Sequence, residues 1–204
     1  MDPTKSALIL IDLQNDFVHP EGACGRAQAC FDIDPIVEPV TRAVRAARTA
    51  DVLLVSLHHT IRDRSDTRSL FRPDMKRAIP ALRADDFRPG SFGHRLFVEF
   101  EPSDICVEKT LPSGFANTRL LEELEANEID TLVLAGITTN FSVAATFHDA
   151  RKHGFNVFVL RDGCAAISRA VHEASLESLQ RAASDERIII GSRQFCAELI
   201  AGKV

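Results

Sequence analysis

Three side chains with complementary chemistry, the carboxyl of Asp12, the amine of Lys109 and the hydroxyl of Ser142, stand at or just past the ends of short apolar runs. Asp12 closes ALILI at 7–11, Lys109 follows Ile105–Val107, and Ser142 follows the run Thr131–Ala135 and the turn begun by Gly136. Parallel strands of an open α/β sheet end at one edge, so the three could share a single pocket. Val143, Phe147 and Ala150 recur at helical spacing, which puts Ser142 at a helix entrance, where backbone N–H groups are unpaired and partly positive. A carboxylate, an ammonium and a hydroxyl beside such donors make chemistry on a bound ligand plausible. Singly, each has an ordinary use: a strand-end aspartate caps a turn, a lysine there is solvated, and a serine opening a helix is a cap.

The elements that must position them alternate regularly. A first strand at 7–11 leads to a helix from Asp34-Pro35, read as N-cap and N1, with Ile36, Val37, Val40, Val44 and Ala47 on one face. VLLVSL at 52–57 reads as a second buried strand ending at His58-His59-Thr60. Short strands are expected at Leu96–Val98 and Ile105–Val107, and a helix at Leu120 to Asn127. The strand and helix of 131–150 follow, then a strand at Phe155–Leu160 with an Asp162-Gly163 turn. A helix at 169–183, a strand at 187–190 and a short C-terminal helix close the chain. This order predicts a three-layer α/β sandwich with a mostly parallel six-stranded sheet, as one domain over 1–204. Between Ile61 and Leu96 the pattern loosens into arginines, aspartates, three prolines and two glycines, the composition of a lid or interaction segment.

Composition narrows the classes further. A net charge of −5 argues against nucleic-acid binding. No apolar run approaches a membrane span, and MDPTKSALIL lacks a signal-peptide cleavage site, so a cytoplasmic protein is expected. Five cysteines without paired spacing suggest reduced thiols. The dinucleotide fingerprint, the phosphate loop and the G-x-S-x-G elbow are absent.

Three segments, ALILIDLQNDF (7–17), VEKTLPSGFA (107–116) and LVLAGITTNFSVAATFHDA (132–150), with VFVLRDGCA (157–165) as a weaker fourth, carry a resemblance. The chain resembles the isochorismatase-like cysteine hydrolases, which include nicotinamidases, carbamoylsarcosine and ureidoacrylate amidohydrolases, biuret hydrolases and isochorismatases. The resemblance implies an Asp–Lys–Cys triad with Asp12 as general base, Lys109 as the cation steadying a thiolate, and residue 142 as nucleophile. It also implies a cis peptide at Ile137–Thr138, with the N–H groups of Thr138 and Ser142 facing one oxyanion. The thiolate of such enzymes attacks an amide or ureide carbonyl, an amine leaves, and water cleaves the thioester. A small amide or carbamoyl substrate, no cofactor and a homo-oligomer, dimer or tetramer, are expected on the same ground.

Here residue 142 is serine, an alcohol far less acidic than a thiol. Three accounts are open: an engineered Cys→Ser replacement, a natural serine giving a slow or altered hydrolase, or a branch resembling isochorismatases, which use the aspartate as an acid on a vinyl ether. A non-catalytic ligand-binding member of the fold is the alternative outside enzymes. Nicotinamidases of the superfamily carry an Asp-x-His metal motif after the second strand. His58, His59 and Thr60 do not reproduce it, so no bound metal is expected. Phe17, His59, Phe115 and Ile137 are the candidate substrate contacts, with Phe141 a further aromatic beside the triad. Arg62, Arg64, Arg68 and Arg72 could pair with a substrate carboxylate, although a charged lid surface is their ordinary reading.

Overall fold

The computed structural model describes residues 1–27, 33–62, 82–100, 102–183 and 187–201. Its sheet has six strands: β1 Ser6–Ile11, β2 Leu53–His59, β3 Ile105–Lys109, β4 Thr131–Ile137, β5 Asn156–Ala165 and β6 Ile189–Ile190. They lie in the order β3-β2-β1-β4-β5-β6, and every neighbouring pair is parallel. The helices are α1 Asn15–Val18, α2 Ala23–Arg26, α3 Asp34–Thr49, α4 Leu120–Ala126, α5 Ala144–Lys152, α6 Arg169–Ala182 and α7 Ser192–Ala201.

Central parallel strands are covered on both faces, which is why ALILI shows no polar alternation. On one face, Ile36, Val40 and Val44 of α3 and Phe195 and Leu199 of α7 bury Leu8, Leu10, Leu54 and Val133. On the other, Leu120, Leu124, Phe147, Leu176 and Leu179 from α4, α5 and α6 cover Ile9, Ile11, Val55, Leu57 and Leu134. The chain builds outward from β1 to β3, then returns to lay β4 on the opposite side of β1. That reversal opens a crevice at the carboxyl ends of β1 and β4, the place where sheets of this kind take ligands.

At the root of that crevice β4 lies close against β1 at Gly136, whose φ is +136°. A Cβ there would lie 2.1 Å from the carbonyl oxygen of Ile11, so no side chain fits.

Several expectations need correction. Leu96–Val98 is no sheet strand: Leu96 makes one isolated antiparallel bridge to Gln14, and Val98–Phe100 is a 3₁₀ turn. Asp162 and Gly163 do not end β5. They belong to it, at a register shift that pairs Val159 with Leu134 but Cys164 with Gly136. Ile33, not Asp34, caps α3, and Asp34 is its first residue. Ser142, expected at a helix entrance, lies in a π turn, Thr139–Val143, before α5 starts at Ala144. Arg64, Arg68 and Arg72 lie outside the described residues.

Candidate active site

Register fixes the candidate residues before any side chain is considered. Ile11 pairs with Leu57 on one side and Gly136 on the other, and His59 pairs with Lys109, so Asp12, Lys109 and the turn after β4 emerge together. Asp12 leaves the strand with φ 56°, a left-handed conformation that aspartate tolerates better than most residues, and its N–H donates to the Leu57 carbonyl at 3.0 Å. Its carboxylate is thereby turned out of the strand pleat.

Lys109 Nζ donates to Asp12 Oδ2 at 2.8 Å and lies 3.5 Å from Ser142 Oγ, with the Leu111 carbonyl at 3.4 Å. All three residues are buried, at 3%, 1% and 2% exposure for Asp12, Lys109 and Ser142. Such depth is unusual for a lysine, which is kept from water only when paired. Asp12 Oδ1 has no hydrogen-bond partner. The Ile137–Thr138 peptide is cis, and Ser142 lies in the π turn that follows.

The surrounding shell is built by residues of the ALILIDLQNDF segment to which the sequence assigned no role. Gln14, fully buried, donates to the carbonyls of His59 and His94 at 3.1 and 3.0 Å and accepts from the His59 N–H at 2.7 Å, so it ties the end of β2 to the 82–100 segment. Asp16 accepts from the N–H groups of Ala23 and Phe87. Gly93 packs so close that a Cβ would lie 2.0 Å from its carboxylate. The signal was there: two polar residues at alternate positions after a buried strand, Gln14 and Asp16, invite a search for backbone partners.

The expected substrate contacts divide. His59 is buried with its ring 6.3 Å from Phe17 and 5.5 Å from Phe87, while Phe17 and Phe87 meet at 4.7 Å. Ile137 is buried beside the crevice as the last residue of β4, and Phe141 is exposed on the π turn. Phe115 is a correction: it stacks on His153 at 5.2 Å and meets Phe155 at 5.9 Å. Phe155 precedes β5, at the opposite edge of the sheet, so Phe115 braces α5 and does not wall the crevice. Arg62 is ion-paired with Glu108. Cys164 is buried in β5, donating to the Leu134 carbonyl at 3.8 Å, and burial pushes its thiol up to about 12, which leaves it inert.

His58 and His94 rings approach to 5.2 Å, and His94 Nε2 is 2.7 Å from Thr60 Oγ1. Two imidazoles and a hydroxyl fall short of a zinc donor set, and no cluster of three or more His, Cys, Asp or Glu that could hold a metal occurs among the described residues. Burial lowers both His58 and His59 to about 4, with His94 adding to the effect on His58 and Lys109 to that on His59. Both imidazoles are therefore neutral in the fold. Below about pH 6.5 the unfolded chain binds protons that the fold refuses, so stability is full above that pH and falls as pH drops toward 4. Each histidine is expected to cost about 3 kcal/mol over this window. Denaturant unfolding at neutral and mildly acid pH should show it, with His58→Gln flattening the slope by about 1.4 kcal/mol per pH unit. An unchanged slope would mean that His58 already titrates normally.

Residues 6–186 match the isochorismatase domain family. The chain belongs to the isochorismatase family. It is 32% identical over 197 residues to the ureidoacrylate amidohydrolase RutB of Methylobacterium radiotolerans, covering 90% of this chain and 73% of the relative. Among solved structures, a cysteine hydrolase from Pseudomonas syringae pv. phaseolicola superposes with a TM-score of 0.82 at 26% identity, over 99% of this chain and 95% of the other. An N-carbamoylsarcosine amidase from Thermoplasma acidophilum shares the isochorismatase-family fold at TM-score 0.68 and 24% identity, over 92% and 96% of the two chains. No helix among the described residues is long and apolar enough to cross a membrane.

Proposed function

We propose that this chain hydrolyses the C–N bond of a small amide, carbamoyl or ureide compound through Asp12, Lys109 and Ser142. The observation that carries the reading is the buried lysine, 2.8 Å from one carboxylate oxygen and 3.5 Å from the Ser142 hydroxyl at the β1/β4 crevice. Support for the substrate class comes from the ureidoacrylate amidohydrolase relative.

Each group has a task its surroundings suit. Asp12 Oδ2 is held by Lys109, which leaves the unpartnered Oδ1 to take the proton from residue 142. Lys109 stabilises the negative charge that passes from the Asp12 carboxylate to the nucleophile as the proton moves, in a site shielded from water. As Oγ bonds to the carbonyl carbon, the carbonyl oxygen becomes an oxyanion facing the N–H groups of Thr138 and Ser142. Collapse breaks the C–N bond, the nitrogen leaves with the proton held by Asp12, and water releases the acyl group from Oγ. Phe17, His59 and Ile137 line the approach, and the enzyme works without a metal or other cofactor.

The specific observation favouring a second reading is the hydroxyl itself, which is a poor nucleophile beside this pair. In a vinyl ether hydrolase, Asp12 donates a proton to carbon and residue 142 need not attack. Release of ammonia or amine across a panel of small amides and ureides, ureidoacrylate included, tests the first reading. Activity is expected with Asp12 intact and should fall at least 10³-fold in Asp12→Ala. Pyruvate release from isochorismate, lost in Asp12→Ala but kept in Ser142→Ala, would replace amide hydrolysis by the ether reaction. Silence on both panels would leave a ligand-binding member of the fold.

A further inference from the structure

The Thr139–Val143 turn carries Ser142, yet nothing in the triad holds the turn's first residue. Thr139 is fully buried, and its Oγ1 lies 3.0 Å from the Ala165 carbonyl at the end of β5 and 2.8 Å from His172 Nδ1 on α6. A carbonyl can only accept, so the single hydroxyl proton goes to Ala165, and the second contact is a hydrogen bond only if the imidazole donates from Nδ1.

We propose that His172 is a positioning residue for the nucleophile turn: through Thr139 it pins the start of Thr139–Val143 against β5 and so aims Ser142 and its N–H. The proposal rests on the reading of Ser142 as nucleophile. His172 is half-buried and forms one wall of a cavity of about 380 Å³ between the start of α3 and the start of α6. Glu173, Arg161 and Arg169 face it there, and Arg161 is ion-paired with Glu173 at 2.9 Å. Burial holds the imidazole below its ordinary range, so it is neutral at pH 7 and carries one proton, for which the Arg161 backbone carbonyl also competes. The lock therefore spans three elements, the turn after β4, the end of β5 and α6, none of which contributes Asp12 or Lys109. Its loss should loosen the turn and leave the Asp12–Lys109 pair intact.

His172→Phe removes the donor, whereas His172→Asn keeps an N–H near the Nδ1 position. Hydrogen exchange of a peptide spanning 138–143 reads the lock without any chemistry. Exchange there should quicken in His172→Phe and remain near the parent rate in His172→Asn. In a Ser142→Cys background turning over an amide, kcat should fall on the order of 10- to 100-fold in His172→Phe, with KM within about threefold and most of the rate restored by His172→Asn. If His172→Phe folds poorly, Thr139→Val and Thr139→Ser make the same comparison from the other side of the bond. Unchanged exchange in the donor-free variants, equal loosening in Phe and Asn, or a loosened turn with unchanged kcat would each overturn the inference. Absence of amide turnover in every form would instead fail the hydrolase reading, and exchange alone would then decide whether His172 holds the turn.

Discussion

Replacing Ser142 by cysteine is expected to raise amide and ureide turnover by on the order of 100-fold or more, and to give a thioester adduct visible by mass spectrometry. A thiol with an ordinary pKa near 8.5 needs only a modest shift to ionise at neutral pH, and a buried ammonium 3.5 Å from the nucleophile atom favours that shift. An alcohol lies so far from ionisation that the same ammonium leaves it protonated. Proton removal must then occur during attack, with Asp12 as the acceptor. The serine form should accordingly bind substrate with similar affinity and turn it over slowly, because crevice shape and backbone donors do not depend on the atom at Oγ. A rate in Ser142→Cys no higher than that of the parent, on an amide shown to bind, would sink the nucleophile assignment.

Lys109→Met should abolish turnover and also cost about 3–5 kcal/mol of stability, since it strands the Asp12 carboxylate in a site where both partners are almost fully buried. The two effects can be separated. The double variant Asp12→Asn/Lys109→Met removes both charges, and asparagine tolerates the φ of 56° at position 12. It should recover most of the lost stability while remaining inactive. Recovery of stability without activity would show that the ion pair is kept for chemistry and not for the fold. Lys109→Met as stable as the parent would mean that Asp12 sits protonated or hydrated, and the proposed proton acceptor would be lost.

The sequence by itself determined the layer architecture and the edge where the candidate site lies. Apolar runs such as ALILI and TLVLA have no polar alternation, which only a strand covered on both faces allows, and alternation with helices then requires parallel pairing. Strand ends therefore marked Asp12, Lys109 and Ser142 in advance. Local pattern also misled in definable places. Asp162-Gly163 reads as a turn in isolation, but pairing with β4 extends β5 through it at the cost of a register shift. Phe115 sits beside the Lys109 segment in sequence, yet the partner surface offered by His153 and Phe155 draws it to the far edge.

Only the tertiary structure decided what holds the site. Lys109 is buried because β2 and β3 align His59 with it and β1 delivers a carboxylate from 97 residues away, contacts that no local window contains. Gln14 and Asp16 gain their meaning from backbone groups of the 82–100 segment, and Thr139 from His172, 33 residues on. Polar side chains carry no periodic signature of their own. Whether one caps, pins or reacts depends on which donors and acceptors the folded chain brings within about 3 Å of it.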